Sequence, residues 1–256
     1  MDLGLTGRSV IVTGASRGIG YAIAEAFAAE GANVTIAART EAPLLEARDR
    51  LTAAYPGAKI QAVTGDTTSA ADCERLINAA VEAYGGLDAL VNNAGGSQRS
   101  DDFDTRWQGT FEANVRSVAR LSVLARPHLA QATNGGSIVN IASIYGRESG
   151  GGVEYNAMKS AEIALSKSFA LDWASEGIRV NTIAPGSISF EGGGWWRRTQ
   201  DDPDAMREFI DRNIAAGRFG KPEEVAAAVV FLSSPRASWI VGASLNVDGG
   251  QSRSNI

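Results

Sequence analysis

The sequence predicts an α/β fold, with a doubly wound parallel β-sheet and helices on both faces of that sheet. Short β-branched runs alternate with longer amphipathic segments along the 256 residues, and this alternation is typical of βαβ units. Several runs, including residues 10–12 and 89–91, are apolar on both of their alternating faces, as expected of strands that helices cover on two sides.

The predicted elements follow one another regularly. Strands are expected at 9–13, 33–38, 59–64, 89–92, 137–141, 179–183 and 244–247, which gives a sheet of about seven strands. Helical patterns cover 19–30, 41–55, 70–84, 105–131, 155–175 and 222–233. The exception is about 187–216, where glycines, Trp195, Trp196 and a run of Arg and Asp interrupt the alternation. We interpret this segment as a mobile insertion over the site, within a single domain that covers 1–256.

Composition excludes several classes of protein. The 24 Lys and Arg residues against 29 Asp and Glu give a net charge of −5, which offers no broad attraction to nucleic acid or anionic lipid, so we expect a small-molecule partner. The lone Cys73 excludes an intramolecular disulfide and the lone His128 excludes His-rich metal sites, so no metal is predicted. No secretory signal pattern opens the chain, and its longest uncharged apolar run, 225–232, is far shorter than the ~18 residues that span a bilayer. A cytoplasmic protein with no membrane partner is expected.

A glycine-rich turn stands between the first predicted strand and the first predicted helix. Gly14, Gly18 and Gly20 have the spacing Gly-x3-Gly-x-Gly. Glycines let the backbone approach a ligand, and the free N–H groups at the helix start then face the pyrophosphate of a dinucleotide. The other predicted contacts of the turn are Ser16, Arg17 and Ile19. The alternative is a turn that is glycine-rich only for tight packing, but the surrounding strand–helix–strand order favours the nucleotide.

The end of the second predicted strand indicates which dinucleotide binds. An NAD site usually places an acidic side chain there for the ribose hydroxyl, but this chain has Ala37, Ala38 and Arg39. With Arg17 from the glycine turn, Arg39 supplies charge-assisted hydrogen bonds for a 2′-phosphate. NADP is therefore favoured and NAD is the alternative, since both arginines also fit an ordinary solvated surface.

Seven short motifs, in order, resemble the short-chain dehydrogenase/reductase family over about residues 5–250. They are Thr13–Gly20, Asp66, Asn92 to Gly95, Asn114, Ser143, Tyr155 to Lys159, and Pro185 with Gly186. The resemblance implies a Rossmann-type fold in which Asp66 contacts adenine and the stretch from Asn92 through Ala94 to Gly95 supports the sheet and the cofactor ribose. It also implies cofactor contacts from Pro185, Gly186 and Ile188. A homotetramer formed through 105–131, 155–175 and the segment around 244–250 is implied as well.

The resemblance also implies a catalytic group of Asn114, Ser143, Tyr155 and Lys159, and the residue types suit that chemistry. Tyr155 and Lys159 are four apart on a predicted helix, so both side chains emerge on one face. A free tyrosine has a pKa near ~10, and a neighbouring ammonium favours its phenolate. Tyr155 then serves as general acid in reduction and general base in oxidation, while Ser143 hydrogen-bonds the substrate oxygen. By resemblance, Lys159 also holds the nicotinamide ribose and Asn114 positions a water that links Lys159 to solvent.

The predicted function is hydride transfer between NADP(H) and a ketone or secondary alcohol. The alternatives are an NAD-dependent alcohol dehydrogenase of the same family and a dinucleotide-binding regulator that has lost catalysis. One departure from the family is Phe190, which stands where many relatives carry a threonine for the nicotinamide carboxamide. Ser187, Ser189 and the backbone of Ile188 are the candidates to replace it. Trp195 and Trp196 either pack on a bulky apolar substrate or bury their own segment, and the substrate stays open.

Overall fold

The computed structural model describes residues 2–255 and contains a seven-stranded sheet. Its strands are β1 (Ser9–Thr13), β2 (Asn33–Ala38), β3 (Ile60–Thr64), β4 (Ala89–Asn92), β5 (Gly136–Ile141), β6 (Ile178–Pro185) and β7 (Ser244–Val247). All pairings are parallel, in the order β3-β2-β1-β4-β5-β6-β7. Strand order reverses direction between β1 and β4, so the carboxyl ends of these strands border the crevice in which such sheets bind ligands.

Helices cover both faces, which confirms the predicted doubly wound class. They are α1 (Gly18–Ala29), α2 (Glu41–Ala54), α3 (Ala70–Tyr84), α4 (Phe103–Phe111), α5 (Ser117–Leu129), α6 (Val153–Trp173), α7 (Gly194–Asp201), α8 (Pro203–Asn213) and α9 (Pro222–Ser233). Helices α1, α2 and α9 pack on one face, and α3, α5 and α6 on the other. Within residues 2–255, no helix combines the length and apolar character needed to cross a membrane.

The apolar core is divided between the two faces of the sheet. Alternate residues of β1 show this, because Val10 and Val12 point into the cluster with α1 and α9, whereas Ile11 points into the cluster with α3 and α5. Each fully buried side chain of this kind contributes roughly 1.5–3 kcal/mol relative to exposure. The sheet is therefore held rigidly from both sides, and its carboxyl edge is a fixed platform.

Two predicted segments differ in the structure. The helix predicted at 105–131 is α4 and α5 joined by a π-helical stretch, Glu112–Arg116; wide turns of this kind are often found at functional sites. The predicted insertion contains two helices, α7 and α8, that the alternation pattern did not indicate. The extent of the single domain stays a prediction, and its terminal residues, Met1 and Ile256, lie outside the described part of the chain.

Candidate active site

The glycine turn connects β1 to α1 at the carboxyl edge of the sheet. Gly14 and Gly18 have φ of +65° and +59°, which other residues rarely adopt. Gly20 has an ordinary φ, but a methyl group there would overlap the Gly14 carbonyl and the Asn93 amide. Because the N-cap residue Arg17 makes no side-chain capping bond, the first N–H groups of α1 are free to bind an anion. The turn therefore fits a pyrophosphate.

One cleft of about 530 Å³ brings seven of the predicted cofactor residues together. Its predicted members are Gly14, Ser16, Arg17, Arg39, Asp66, Ala94 and Gly95. Arg17 and Arg39 are both exposed, and within the described chain neither has an ion-pair partner. The Asp66 carboxylate accepts bonds from the backbone N–H and the hydroxyl of Thr68, both at 2.9 Å. This end of the site thus carries two unpaired cations and a fixed acidic side chain.

A smaller cleft next to it contains the predicted catalytic side chains. It is lined by Ile19, Gly95, Ser143, Tyr155, Lys159, Pro185, Gly186, Ile188 and Trp195, together with four neighbours. Ser143 follows β5 and starts a short 3-10 turn, whose Tyr145 N–H donates to the serine Oγ at 3.2 Å. Tyr155 lies in the first turn of α6, and Lys159 Nζ is 5.7 Å from its ring centroid. Serine, tyrosine and lysine therefore face one space beside the glycine turn.

Lys159 is buried and has two protein partners. Its Nζ donates to the Ile141 carbonyl at 2.8 Å and to Glu162 Oε2 at 2.7 Å. Burial raises the pKa of Glu162 to about 7, against the lowering effect of the ammonium. Burial by itself lowers the pKa of Lys159, but attraction to Glu162 and Tyr155 outweighs it and raises that pKa. Glu162 was missed in the sequence; the available signal was an acidic residue three positions after Lys159 on the same helix.

Asn114 lies in the π-helical stretch and is fully buried. Its Nδ2 donates to the carbonyls of Gly96 and Thr110, both at 2.7 Å, and its Oδ1 accepts from the Gly96 N–H at 3.0 Å. The side chain therefore fastens the loop after β4 to the helix above it. These contacts orient the wall of the cleft, while the water-positioning role expected from the resemblance stays a prediction.

Asn92 and Asn93 have different surroundings. Asn92 lies beneath the cleft, where its Nδ2 donates to Asn140 at 2.8 Å and to Ser122 at 3.3 Å. Asn93, absent from the predicted site, donates from Nδ2 to the carbonyls of Thr13 at 2.9 Å and Gly14 at 3.2 Å. Asn93 thus ties the glycine turn to β4, and its place in the Asn-Asn-Ala-Gly stretch was the sequence signal for it.

The loop after β6 folds back over the glycine turn. A Cβ atom on Gly18 would lie 2.5 Å from Phe190 Cζ, so the phenyl ring rests directly on the start of α1. Backbone contacts fix the positions of the three candidates to replace the missing threonine, and one of them, Ile188, lines the catalytic cleft. The Ser187 N–H donates to Gln251 at 2.8 Å, the Ser189 N–H donates to Gly220 at 2.9 Å, and Ile188 pairs with Gly220.

Trp195 connects α7 to the catalytic cleft. Its ring lines the cleft and packs on Phe209 and Phe219, with centroid distances of 4.7 and 5.2 Å. Arg198 lies over the same ring at 4.9 Å. The Trp195 ring therefore faces the cleft and also joins an aromatic cluster within its own segment.

The chain is similar to proteins of one family along nearly its full length. A family model described as enoyl-(acyl carrier protein) reductase matches residues 14–252. A 3-oxoacyl-(acyl-carrier-protein) reductase of Vibrio cholerae is 35% identical over 97% of this chain and 98% of its own. Meso-2,3-butanediol dehydrogenase of Serratia marcescens is 36% identical over 96% of this chain and 95% of its own.

A solved structure agrees with these relatives. The L-sorbose reductase of Gluconobacter frateurii, complexed with NADPH and L-sorbose, superposes with a TM-score of 0.91 at 33% identity, covering 99% of this chain and 100% of that one. These similarities show that the chain, with its two clefts, is a nucleotide-dependent oxidoreductase that acts on CH–OH and C=O groups. This chain belongs to the short-chain dehydrogenase/reductase family.

Proposed function

We propose that this protein is an NADP(H)-dependent reductase of ketones and dehydrogenase of secondary alcohols, with Tyr155 as the general acid and base. The observation that carries the proposal is the meeting of Ser143, Tyr155 and Lys159 in one cleft, next to a glycine turn that leaves backbone N–H groups free for a pyrophosphate.

Each catalytic side chain has one task in the proposed reduction. The glycine turn with Arg17 and Arg39 would hold NADPH, which would supply the hydride for the carbonyl carbon. Ser143 donates a hydrogen bond to the carbonyl oxygen and stabilises the negative charge that develops there. Tyr155 gives its phenolic proton to that oxygen, which completes the alcohol, and Lys159 stabilises the phenolate left behind. Alcohol oxidation uses the same groups in reverse.

The preference for NADP rests on charge at the end of β2. Arg17 and Arg39 line the cofactor cleft, are exposed, and have no ion-pair partner among residues 2–255. A 2′-phosphate offers both guanidinium groups charge-assisted bonds, while no carboxylate follows β2 to select the free ribose hydroxyl. The NADPH complex of the L-sorbose reductase supports this choice.

The aromatic cluster around Trp195 favours a bulky apolar or ring-containing substrate. The Trp195 ring is half-buried and lines the cleft. An apolar substrate group that packs on this ring would remove both its own surface and that of the ring from water, which stabilises binding. We propose that residues 187–216 form the insertion that covers this substrate.

The exposed side chains of Phe103, Val153 and Leu171 lie on α4 and α6. They support a homotetramer that is built through these helices, and sedimentation velocity tests this proposal directly.

The decisive test replaces the phenol oxygen alone. Tyr155→Phe is expected to lower kcat by roughly 10²–10⁴-fold, because general acid–base catalysis is lost, while cofactor titration by tryptophan fluorescence stays unchanged. The matched control is Tyr84→Phe, which removes a hydroxyl bonded to the Lys59 carbonyl at 3.1 Å, far from the cleft. Turnover of ketones and alcohols is read at the absorbance of the reduced nicotinamide. Full activity of the Tyr155→Phe protein would overturn the assignment, and absence of turnover in the unmodified protein would favour the inactive regulator.

Cofactor choice has its own test. The unmodified protein is expected to bind NADP more tightly than NAD, and Arg39→Ala is expected to weaken NADP binding by about 10-fold, since a charge-assisted bond is worth ~1.5–3 kcal/mol. Binding of NAD should be unaffected. The surface variant Arg207→Ala controls for the loss of one positive charge. Tighter binding of NAD by the unmodified protein would make the NAD-dependent alternative correct.

A further inference from the structure

Glu162 is a buried carboxylate that none of the roles proposed above uses. It lies three residues after Lys159 on α6, and its side chain is 1% exposed, beside a Lys159 side chain that is 5% exposed. Carboxylates are rarely buried unless a cation compensates them. The sole side chain that bonds to the Glu162 carboxylate, among the residues that the structure describes, is the Lys159 ammonium at 2.7 Å.

The contacts of Lys159 fix its ammonium from behind. An ammonium has three N–H donors, and two of them bind the Ile141 carbonyl and the Glu162 carboxylate. The third is left for the cleft that Lys159 lines together with Tyr155. Glu162 therefore affects the charge that Lys159 presents to the cleft, although Glu162 itself does not line the cleft.

Other charged groups near α6 are neutralised or bonded elsewhere. The elements packed against α6 include α4, β5, β6, the π-helical stretch and the 3-10 turns at 144–146 and 174–176. Their titratable side chains and partners are Arg106 with Glu154, Arg116 with Glu112, Glu176 with Arg126, Arg179 with two backbone carbonyls, the exposed Asp104, and Tyr145. None of them bonds to Glu162, so its charge acts chiefly on Lys159 and, through it, on Tyr155.

We propose that Glu162 is a positioning residue that balances the charge of Lys159 and thereby sets the pH at which Tyr155 gives up its proton. This inference rests on the proposed role of Tyr155. An ammonium alone stabilises a phenolate strongly, whereas an ammonium already bonded to a carboxylate stabilises it less. The Glu162 carboxylate thus makes the phenolate of Tyr155 harder to form, which favours the phenol that carbonyl reduction needs.

The direction of the effect follows from two ionisations. Because burial raises the pKa of Glu162 to about 7, its carboxylate is charged throughout the alkaline range in which a phenol titrates. That negative charge offsets part of the attraction between the Lys159 ammonium and a phenolate on Tyr155, so removing it lets the phenolate form more easily. We expect Glu162→Gln to move the alkaline rise of kcat/KM for alcohol oxidation to lower pH by about one unit, the scale of a close charge–charge effect.

The experiment compares pH profiles of alcohol oxidation for matched proteins. Glu162→Gln removes the charge but retains an oxygen that accepts from Lys159 Nζ. Glu162→Asp retains the charge and is expected to leave the profile near that of the unmodified protein. Glu176→Gln removes the carboxylate of another ion pair, with Arg126, away from the cleft, and should leave the profile unchanged. A structural role alone would change rates in the Gln and Asp variants without moving the midpoint.

A second measurement needs no activity. With glutamate labelled at Cδ by carbon-13, the carboxyl resonance that Glu162→Gln removes should be that of a charged carboxylate throughout the alkaline range. Superimposable pH profiles of the active unmodified and Gln proteins, or a Glu162 resonance that stays protonated through the alkaline range, would overturn the proposal while leaving the dehydrogenase assignment intact. Loss of the assignment itself would appear differently, as full activity of Tyr155→Phe.

Discussion

Two regions meet at the catalytic cleft and are built in opposite ways. The floor, formed by the ends of β1, β4 and β5 with α6, buries Ser143, Lys159 and Glu162 and is crossed by hydrogen bonds from Asn92 to Asn140 and from Asn93 to Thr13. The segment with α7 and α8 buries no residue of either helix completely and is held by three aromatic rings. Floors of this kind open only with the whole fold, whereas sparsely buried segments open locally at a much lower free energy. The proposed chemistry therefore lies on the rigid region and the proposed substrate contact on the sparsely buried one.

The largest effect on the rigid floor is expected from the addition of one methyl group. In Gly20→Ala the new Cβ overlaps the Gly14 carbonyl, a backbone atom that cannot move without deforming the turn. We expect cofactor affinity to fall by about 100-fold or more, because the N–H groups of the deformed turn no longer point at the pyrophosphate. The free energy of unfolding should fall by about 1–3 kcal/mol. Fluorescence titration and denaturant unfolding measure the two effects.

The control for that variant is Gly86→Ala, where a Cβ meets nothing within 4 Å. It should leave cofactor affinity unchanged. If both alanine variants bound cofactor like the unmodified protein, the close approach at Gly20 would have no part in binding and the floor would be less rigid than its geometry indicates.

Removing a ring from the aromatic cluster tests whether the segment with α7 and α8 opens independently of the floor. Trp195→Ala removes contacts with Phe209 and Phe219, each worth about 0.5–1.5 kcal/mol beyond the area buried. Amides of 194–213 should then exchange with deuterium roughly 5–100-fold faster, while those of α6 keep their rates. Trp196→Ala, whose ring lies outside the cluster, should show a smaller change. Equal acceleration in α6 would mean that the two regions open as one unit.

Phe190 is where the loop after β6 touches the rigid floor. Its ring lies on Gly18 at the start of α1, next to the place where the pyrophosphate is expected. Phe190→Thr removes the ring and adds a hydroxyl donor, and we expect cofactor to bind about 3–10-fold more tightly, the worth of one net hydrogen bond. The dissociation constant from fluorescence titration checks this. Weaker binding would show that the ring supports the cofactor instead of covering its site.

The rigid region could be predicted from sequence because its constraints are local. The strands are short apolar runs, Gly14 and Gly18 mark positive φ, and Tyr155 and Lys159 share a face through helical spacing alone. Each of these features depends on neighbours within a few residues. The fold class follows from such features together with the parallel sheet, whereas the meeting of Ser143 with Tyr155 and Lys159 was implied by the resemblance to a known family.

The features that were missed depend on distant contacts. Helix α7 is stabilised by a ring that meets Phe209 and Phe219. The spacing of Glu162 from Lys159 was visible in the sequence, but the burial of that pair depends on the elements packed against α6. The π-helical turn around Asn114 depends on its bonds to Gly96. Helix α8 is the exception, because Asp202 caps the Ala205 N–H and Pro203 opens the helix, a local signal that was present in the sequence.

The smallest effect is expected at the junction between the segment with α7 and α8 and the following helix α9. Arg218, which follows α8, binds Glu224 in the first turn of α9 through two bonds of 2.5 and 2.9 Å. The same carboxylate accepts from the Lys221 N–H at 2.8 Å. Glu224→Gln weakens both contacts, and solvent screens the ion pair, so we expect local opening of 214–221 to become easier by about 0.5–1 kcal/mol.

The pH dependence of this attachment has a definite sign. Bonds from Arg218 and Lys221 lower the pKa of Glu224 to about 2, below its usual 4.5. A lowered pKa means that the attachment is fully present above pH ~4.5 and is lost as pH falls toward 2. Hydrogen exchange of 214–221 should therefore separate Glu224→Gln from the unmodified protein at pH 7 and converge near pH 2. Glu223→Gln removes the same charge from the same helix turn and should show no such convergence, because it contributes neither bond; a matching profile would assign the effect to helix charge.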